Sequence, residues 1–128
     1  MSAAPKTRPK YYDLNLAHLP PPGLVSIFHR VSGALLFFPA LPIALYILHV
    51  TLGSQEGYDR WAAFLARPAV KLIVILAAWG YAHHFFAGIR YLLLDLHIGI
   101  EKAPARASAV AVLVLGFLAA LALAVCIW

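Results

Sequence analysis

The sequence has 128 residues and 13.9 kDa, of which 63% are apolar and only 12% charged, with a mean hydropathy of +0.84. A soluble domain of this size keeps about a third of its unfolded surface in water and carries roughly a quarter of its residues as charges, so the composition excludes one and points to a membrane. A single cysteine, Cys126, and the lack of any long polar tract exclude a disulfide scaffold, a disordered chain and a multidomain enzyme; the formal charge of +5 is read as a record of membrane topology rather than of nucleic-acid binding.

The first ten residues contain Lys6, Arg8 and Lys10 but no apolar core, so they are read neither as a secretory signal nor as a transit peptide. Prolines 20, 21 and 22 followed by Gly23 predict an extended approach and a first helix that begins near Ser26, because proline lacks an N–H and disfavours helix in the residue before it. Three apolar runs are long enough to cross about 30 Å of hydrocarbon: roughly 26–52, 68–96 and 106–128. Pro39 and Pro42 predict a kink within the first. Between the first two runs, residues 53–60 are polar with two glycines and read as a loop, followed by a short interfacial helix over 61–65. Between the second and third, Pro104 is placed to open the last helix. The fold class expected is an all-α membrane protein: residues 1–25 as a cytoplasmic N-terminal segment, and 26–128 as a three-helix anchor forming part of a hetero-oligomeric bundle.

Cations set the orientation. Lys6, Arg8, Lys10, Arg30, Arg90, Lys102 and Arg106 lie on one side, and Arg60, Arg67 and Lys71 on the other with Glu56 and Asp59. Since Lys and Arg bias short loops toward the cytoplasm, the N-terminus is expected inside and the C-terminus outside. The expected location is a bacterial inner membrane, with the mitochondrial inner membrane as the alternative.

Several polar residues fall inside the spans. Ser26, His29, Arg30 and Gly33 recur at i, i+3, i+4 and i+7 and so share one helical face. Snorkelling to headgroups explains the two cations but neither the serine nor the glycine on the same stripe. In the second span, His84 lies roughly 24 Å from Pro68 and roughly 17 Å from Asp95, well inside the bilayer, where an ionisable side chain is a functional candidate. His83 and His84 point about 100° apart and cannot clasp one metal from opposite sides. Antiparallel spans place Arg30 and Arg90 at similar depths, with His84 roughly 9 Å deeper. That offset suits a haem whose iron sits at His84 and whose carboxylates reach toward Arg30, His29 and Arg90, because anions in low dielectric require cations. The chain supplies no convincing second axial ligand: His49 is roughly 28 Å beyond Arg30, His29 is near the carboxylate level, and His18 and His97 lie at or beyond the interface. The second ligand is therefore expected from another subunit.

The stretch Ser26-Ile-Phe-His29-Arg30-Val-Ser32-Gly33, taken with His84-Phe-Phe-Ala-Gly88-Ile89-Arg90-Tyr-Leu-Leu-Leu-Asp95, resembles the cytochrome b subunits of succinate dehydrogenase. The likeness runs from Arg8-Pro9 to the end of the chain. It implies a membrane anchor of respiratory complex II that binds a flavoprotein subunit, an iron–sulfur subunit and a second three-helix anchor. It further implies haem b shared with that second anchor, with His84 as axial ligand and His29 and Arg30 near the propionates. Ser26 and Arg30 would belong to the ubiquinone pocket, and Asp95 to the proton supply. The chain departs from the family in having Tyr91 where histidine is frequent, and in offering His83 as an extra candidate ligand. The chain itself has no residues to hold flavin or iron–sulfur clusters, so its own chemistry would be quinone reduction: a serine hydroxyl can hydrogen-bond a quinone carbonyl while a guanidinium stabilises negative charge on it. Competing readings are the anchor of a quinol:fumarate reductase, a haem-free structural anchor, and a proton-relay transporter built on His84 and Asp95.

Overall fold

A computed structural model describes residues 18–128. Helix α1 (Pro21–Leu35) continues through a π-helical turn (Leu36–Ala40) into α2 (Leu41–Gly53); α3 (Gln55–Leu65), α4 (Pro68–Asp95) and α5 (Lys102–Ile127) follow. Three spans are long and apolar enough to cross a membrane: Pro21–Gly53, Pro68–Asp95 and Lys102–Ile127, of 33, 28 and 26 residues. At 1.5 Å per residue these reach roughly 39 to 50 Å, more than the hydrocarbon thickness. The chain is a multi-pass membrane protein.

Two local expectations are corrected. The first helix begins at Pro21, not near Ser26: only Pro20 is extended, with φ −65° and ψ 153°, and the next two prolines occupy the first turn. The N–H groups of a first turn have no partner within the helix, so proline costs nothing there and its fixed φ favours helix. Residues 53–60 do not form a loop either. Ser54 alone is extended, and its Oγ accepts the Gly57 N–H at 3.0 Å, starting α3 at once. The Gln55–Asp59 and Arg60–Glu56 contacts, each 2.9 Å and four residues apart, run along its exposed side. The expected helix over 61–65 is the end of this longer one. Gly57 is needed because a Cβ would run into the Val50 carbonyl oxygen of α2.

The predicted break at Pro39 takes the form of the π turn. Pro39 has no N–H to return to the carbonyl four residues back, and the ladder resumes when the Leu41 N–H bonds Leu36, five residues back. Beyond this turn the helix leaves its neighbours: no residue of α2 is buried, and its packing partner is α3. Helices α1, α4 and α5 pack together around Val25, Ala87, Ala109 and Val112, all buried. All four are small or β-branched, which suits close approach where no hydrophobic drive separates protein from lipid. At the far end of the bundle, Lys71 Nζ donates to the Ile127 carbonyl at 2.6 Å and lies 5.6 Å from the centre of the Trp128 ring, satisfying an orphan carbonyl of α5. Between α4 and α5 the chain ends one helix in a Schellman turn: the His97 N–H bonds the Leu94 carbonyl and the Ile98 N–H that of Leu93, with His97 at φ 62°. Helix α5 then starts at Lys102, four residues before the expected Arg106, with Pro104 in its first turn.

Candidate functional site

Helix α4 sorts its polar residues onto two faces. His84, Gly88 and Tyr91 meet the His29 side of α1, whereas His83, Ala87 and Arg90, three and four residues apart, are buried on an adjacent face, where His83 meets Phe28 of α1 and Arg90 meets α5. The divergence of His83 and His84 expected from helical geometry is thus realised.

The α1–α4 contact is a histidine pair. The rings of His29 and His84 stack with centroids 4.3 Å apart and 14° between planes, and Tyr91 tilts against His29 at 5.1 Å. His84 Nδ1 lies 3.1 Å from the His29 carbonyl oxygen and 3.3 Å from Ser32 Oγ. Ser32 is itself buried and donates its hydroxyl proton to the same carbonyl at 3.1 Å. Gly33 makes room for the imidazole: a Cβ there would stand 2.8 Å from His84 Cε1. The Nε2 of His84 has no hydrogen-bond partner among the described residues and is not enclosed, since His84 is only half-buried.

Ser26 and Arg30 sit at the edge of this contact. Arg30 is exposed and its Nε donates to the backbone carbonyl of Ser26 at 3.3 Å, while Ser26 itself is half-buried. The helices interlock with His29 and Ser32 against His84, and Phe28 against His83 and Trp79, at ring separations of 5.8 Å each. Contacts from His29 run along α4 from His84 to Tyr91, the neighbour of Arg90, while the Arg30 and Arg90 side chains themselves turn to different partners.

Arg90 makes its hydrogen bonds to α5, although its guanidinium also lies 5.5 Å over the ring of Tyr91, which touches His29. Its side chain is 6% exposed and turns to α5, where Nε donates to Ser108 Oγ at 3.0 Å and a terminal nitrogen to the Ala105 carbonyl at 3.3 Å. Ser108 escaped the sequence reading; the available signal was a cation in an apolar span that needs an acceptor one helix away. Asp95 is the last residue of α4 and exposed, with no ion pair among the described residues. His83 is fully buried between Trp79 and Phe28. The Val25 backbone approaches its ring, yet neither nitrogen closes a hydrogen bond of good geometry. His49 is exposed on α2, away from the pair. Arg8-Pro9 and the cations Lys6 and Lys10 lie outside the described residues. No group of three or more His, Cys, Asp or Glu residues gathers among the described residues.

The profile of the succinate dehydrogenase/fumarate reductase transmembrane subunits matches residues 4–123, the whole of this arrangement. The chain belongs to that family. It is also 37% identical over 122 residues to the succinate dehydrogenase cytochrome b556 subunit of Coxiella burnetii (strain RSA 493 / Nine Mile phase I), a match that covers 94% of this chain and 97% of the relative. In this transmembrane subunit, the histidine pair between α1 and α4 and the Ser26–Arg30 flank are where an all-apolar anchor becomes polar. The donor set fits a b-type haem for which the chain gives one imidazole: a single uncommitted ring nitrogen, a glycine cradle behind the ring, and a cation one residue from the stacked partner.

Proposed function

We propose that this chain is the haem-binding membrane anchor of a succinate:ubiquinone oxidoreductase and contributes one wall of its quinone-reduction site. The observation that carries this reading is the state of His84, whose Nδ1 is committed to the His29 carbonyl while its Nε2 is left with a free lone pair at the bundle surface. His84 would ligate the iron of haem b, and a second anchor subunit would supply the other axial ligand. His29 and Arg30 are the polar groups for the propionate side, and Arg90 contributes by holding α5 to α4. When bound, the haem supplies a one-electron store beside the quinone. The chain's own residues do the rest. Ser26 offers a hydroxyl to a quinone carbonyl, and the exposed guanidinium of Arg30 favours negative charge on the oxygen being reduced. Asp95, exposed at the end of α4, is the acid placed to pass protons from the cytoplasmic side. Flavoprotein and iron–sulfur subunits dock on that same side and deliver the electrons of succinate, in a bacterial inner membrane with the N-terminus in the cytoplasm.

The test is the reduced-minus-oxidised optical spectrum of the purified complex. The wild type is expected to give a reducible low-spin b-type haem, and His84→Ala to lose or markedly alter it. An unchanged bis-histidine spectrum in the mutant would remove His84 from the iron and turn attention to His83.

A further inference from the structure

We infer that Ser32 is a positioning residue for His84: with the His29 carbonyl, it fixes the proton on Nδ1 and so assigns Nε2 as the coordinating nitrogen and sets its donor strength. The inference rests on the haem reading above and deepens it. A carbonyl oxygen cannot donate, so the 3.1 Å contact between the His29 carbonyl and His84 Nδ1 is a hydrogen bond only when Nδ1 carries the proton. In a neutral imidazole that leaves the lone pair on Nε2.

Ser32 completes the arrangement. Its hydroxyl proton is spent on the same carbonyl at 3.1 Å, which turns an oxygen lone pair toward His84 Nδ1, 3.3 Å away. Nδ1–H is thus shared between two acceptors, and the serine that provides one of them is itself anchored to the other. At 7% exposure, Ser32 has little water to compete for these bonds. The ring is boxed in further by the parallel face of His29 and by the backbone at Gly33, so rotation about its Cβ–Cγ bond would break both contacts at once. An acceptor on the far N–H of a ligand imidazole raises its basicity and favours the ferric over the ferrous iron, so removing one has a defined sign.

The experiment is a potentiometric titration of the haem, with low-temperature EPR of its ferric form, in the intact complex carrying Ser32→Ala, Ser32→Thr or Ser32→Cys. Ser32→Ala is expected to keep a low-spin haem but raise the ferrous to ferric ratio at fixed ambient potential by about threefold to tenfold, the upper figure corresponding to about 59 mV for one electron. Its EPR g-values are expected to shift, and Ser32→Thr, which keeps the hydroxyl, to restore both readouts. If the alanine variant does not assemble, Ser32→Cys, with nearly the same volume and a weak acceptor, is expected to move them in the same direction. Wild-type potential and g-values in the assembled alanine or cysteine variant would overturn the inference. A wild-type complex without any b-type haem would instead overturn the reading it rests on.

Discussion

Ser26 and Arg30 lie one helical turn apart, joined through the Arg30 Nε bond to the Ser26 carbonyl, and their two roles separate under mutation. Ser26→Ala is expected to weaken quinone binding by one hydrogen bond, about 0.5–1.5 kcal/mol, seen as a raised KM for quinone. Arg30→Ala removes a cation and should lower turnover more. Succinate oxidation with an artificial acceptor that bypasses quinone should survive in both, and full succinate:quinone activity in an assembled mutant would take that residue out of the site. Gly33 makes a third case: Gly33→Ala places a methyl 2.8 Å from His84 Cε1, so the ring must tilt and haem content should fall while the helices still insert. Arg90 behaves differently because its contacts are internal. Ser108→Ala leaves a buried guanidinium with one fewer acceptor and should cost about 1–3 kcal/mol of stability in detergent, with the haem spectrum unchanged. The sequence showed that His84, His29, Ser26 and Arg30 are polar where lipid surrounds them, since depth and periodicity suffice for that. It could not show that Arg90 belongs to α5, because the choice between two neighbouring helices depends on the rotation of α4 and on Ser108, which looks like any other small residue of a membrane helix.

Between residues and the whole chain, the helix ends explain what patterning alone missed. Three prolines read as a barrier to helix, yet two of them sit in a first turn where a missing N–H has no consequence. Likewise Ser54 turned a polar, glycine-containing stretch into α3 by capping it, and Ser54→Ala is expected to destabilise that helix by about 1 kcal/mol, readable as faster amide exchange over 55–60. At the other turn, His97 holds a left-handed conformation that costs an L-residue energy, so His97→Gly is expected to raise the melting temperature, by a gain of about 1 kcal/mol. A lower melting temperature would mean that the imidazole makes contacts in the assembled complex that outweigh its strain. The break in the hydrogen-bond ladder, by contrast, is legible from Pro39, because no rearrangement restores the hydrogen bond that proline deletes.

At the scale of the molecule, three spans and their apolar lengths followed directly from composition, whereas the register between α1 and α4 did not, being set by which side chains interlock. Orientation is tested by labelling single cysteines introduced as Ser54→Cys and Lys102→Cys after replacement of Cys126. Impermeant reagent added from the cytoplasmic side is expected to reach position 102 and not 54; the reverse pattern would invert the topology. The π turn also divides the packing of the first span. On the side of α1 the three spans pack together, while past Ala40 the main packing partner of α2 is α3 rather than α4 or α5. The apolar side chains of α2, Leu41, Ile43, Leu45, Leu48 and Leu52 among them, are therefore left uncovered by the rest of this chain, and lipid or a neighbouring helix must cover them.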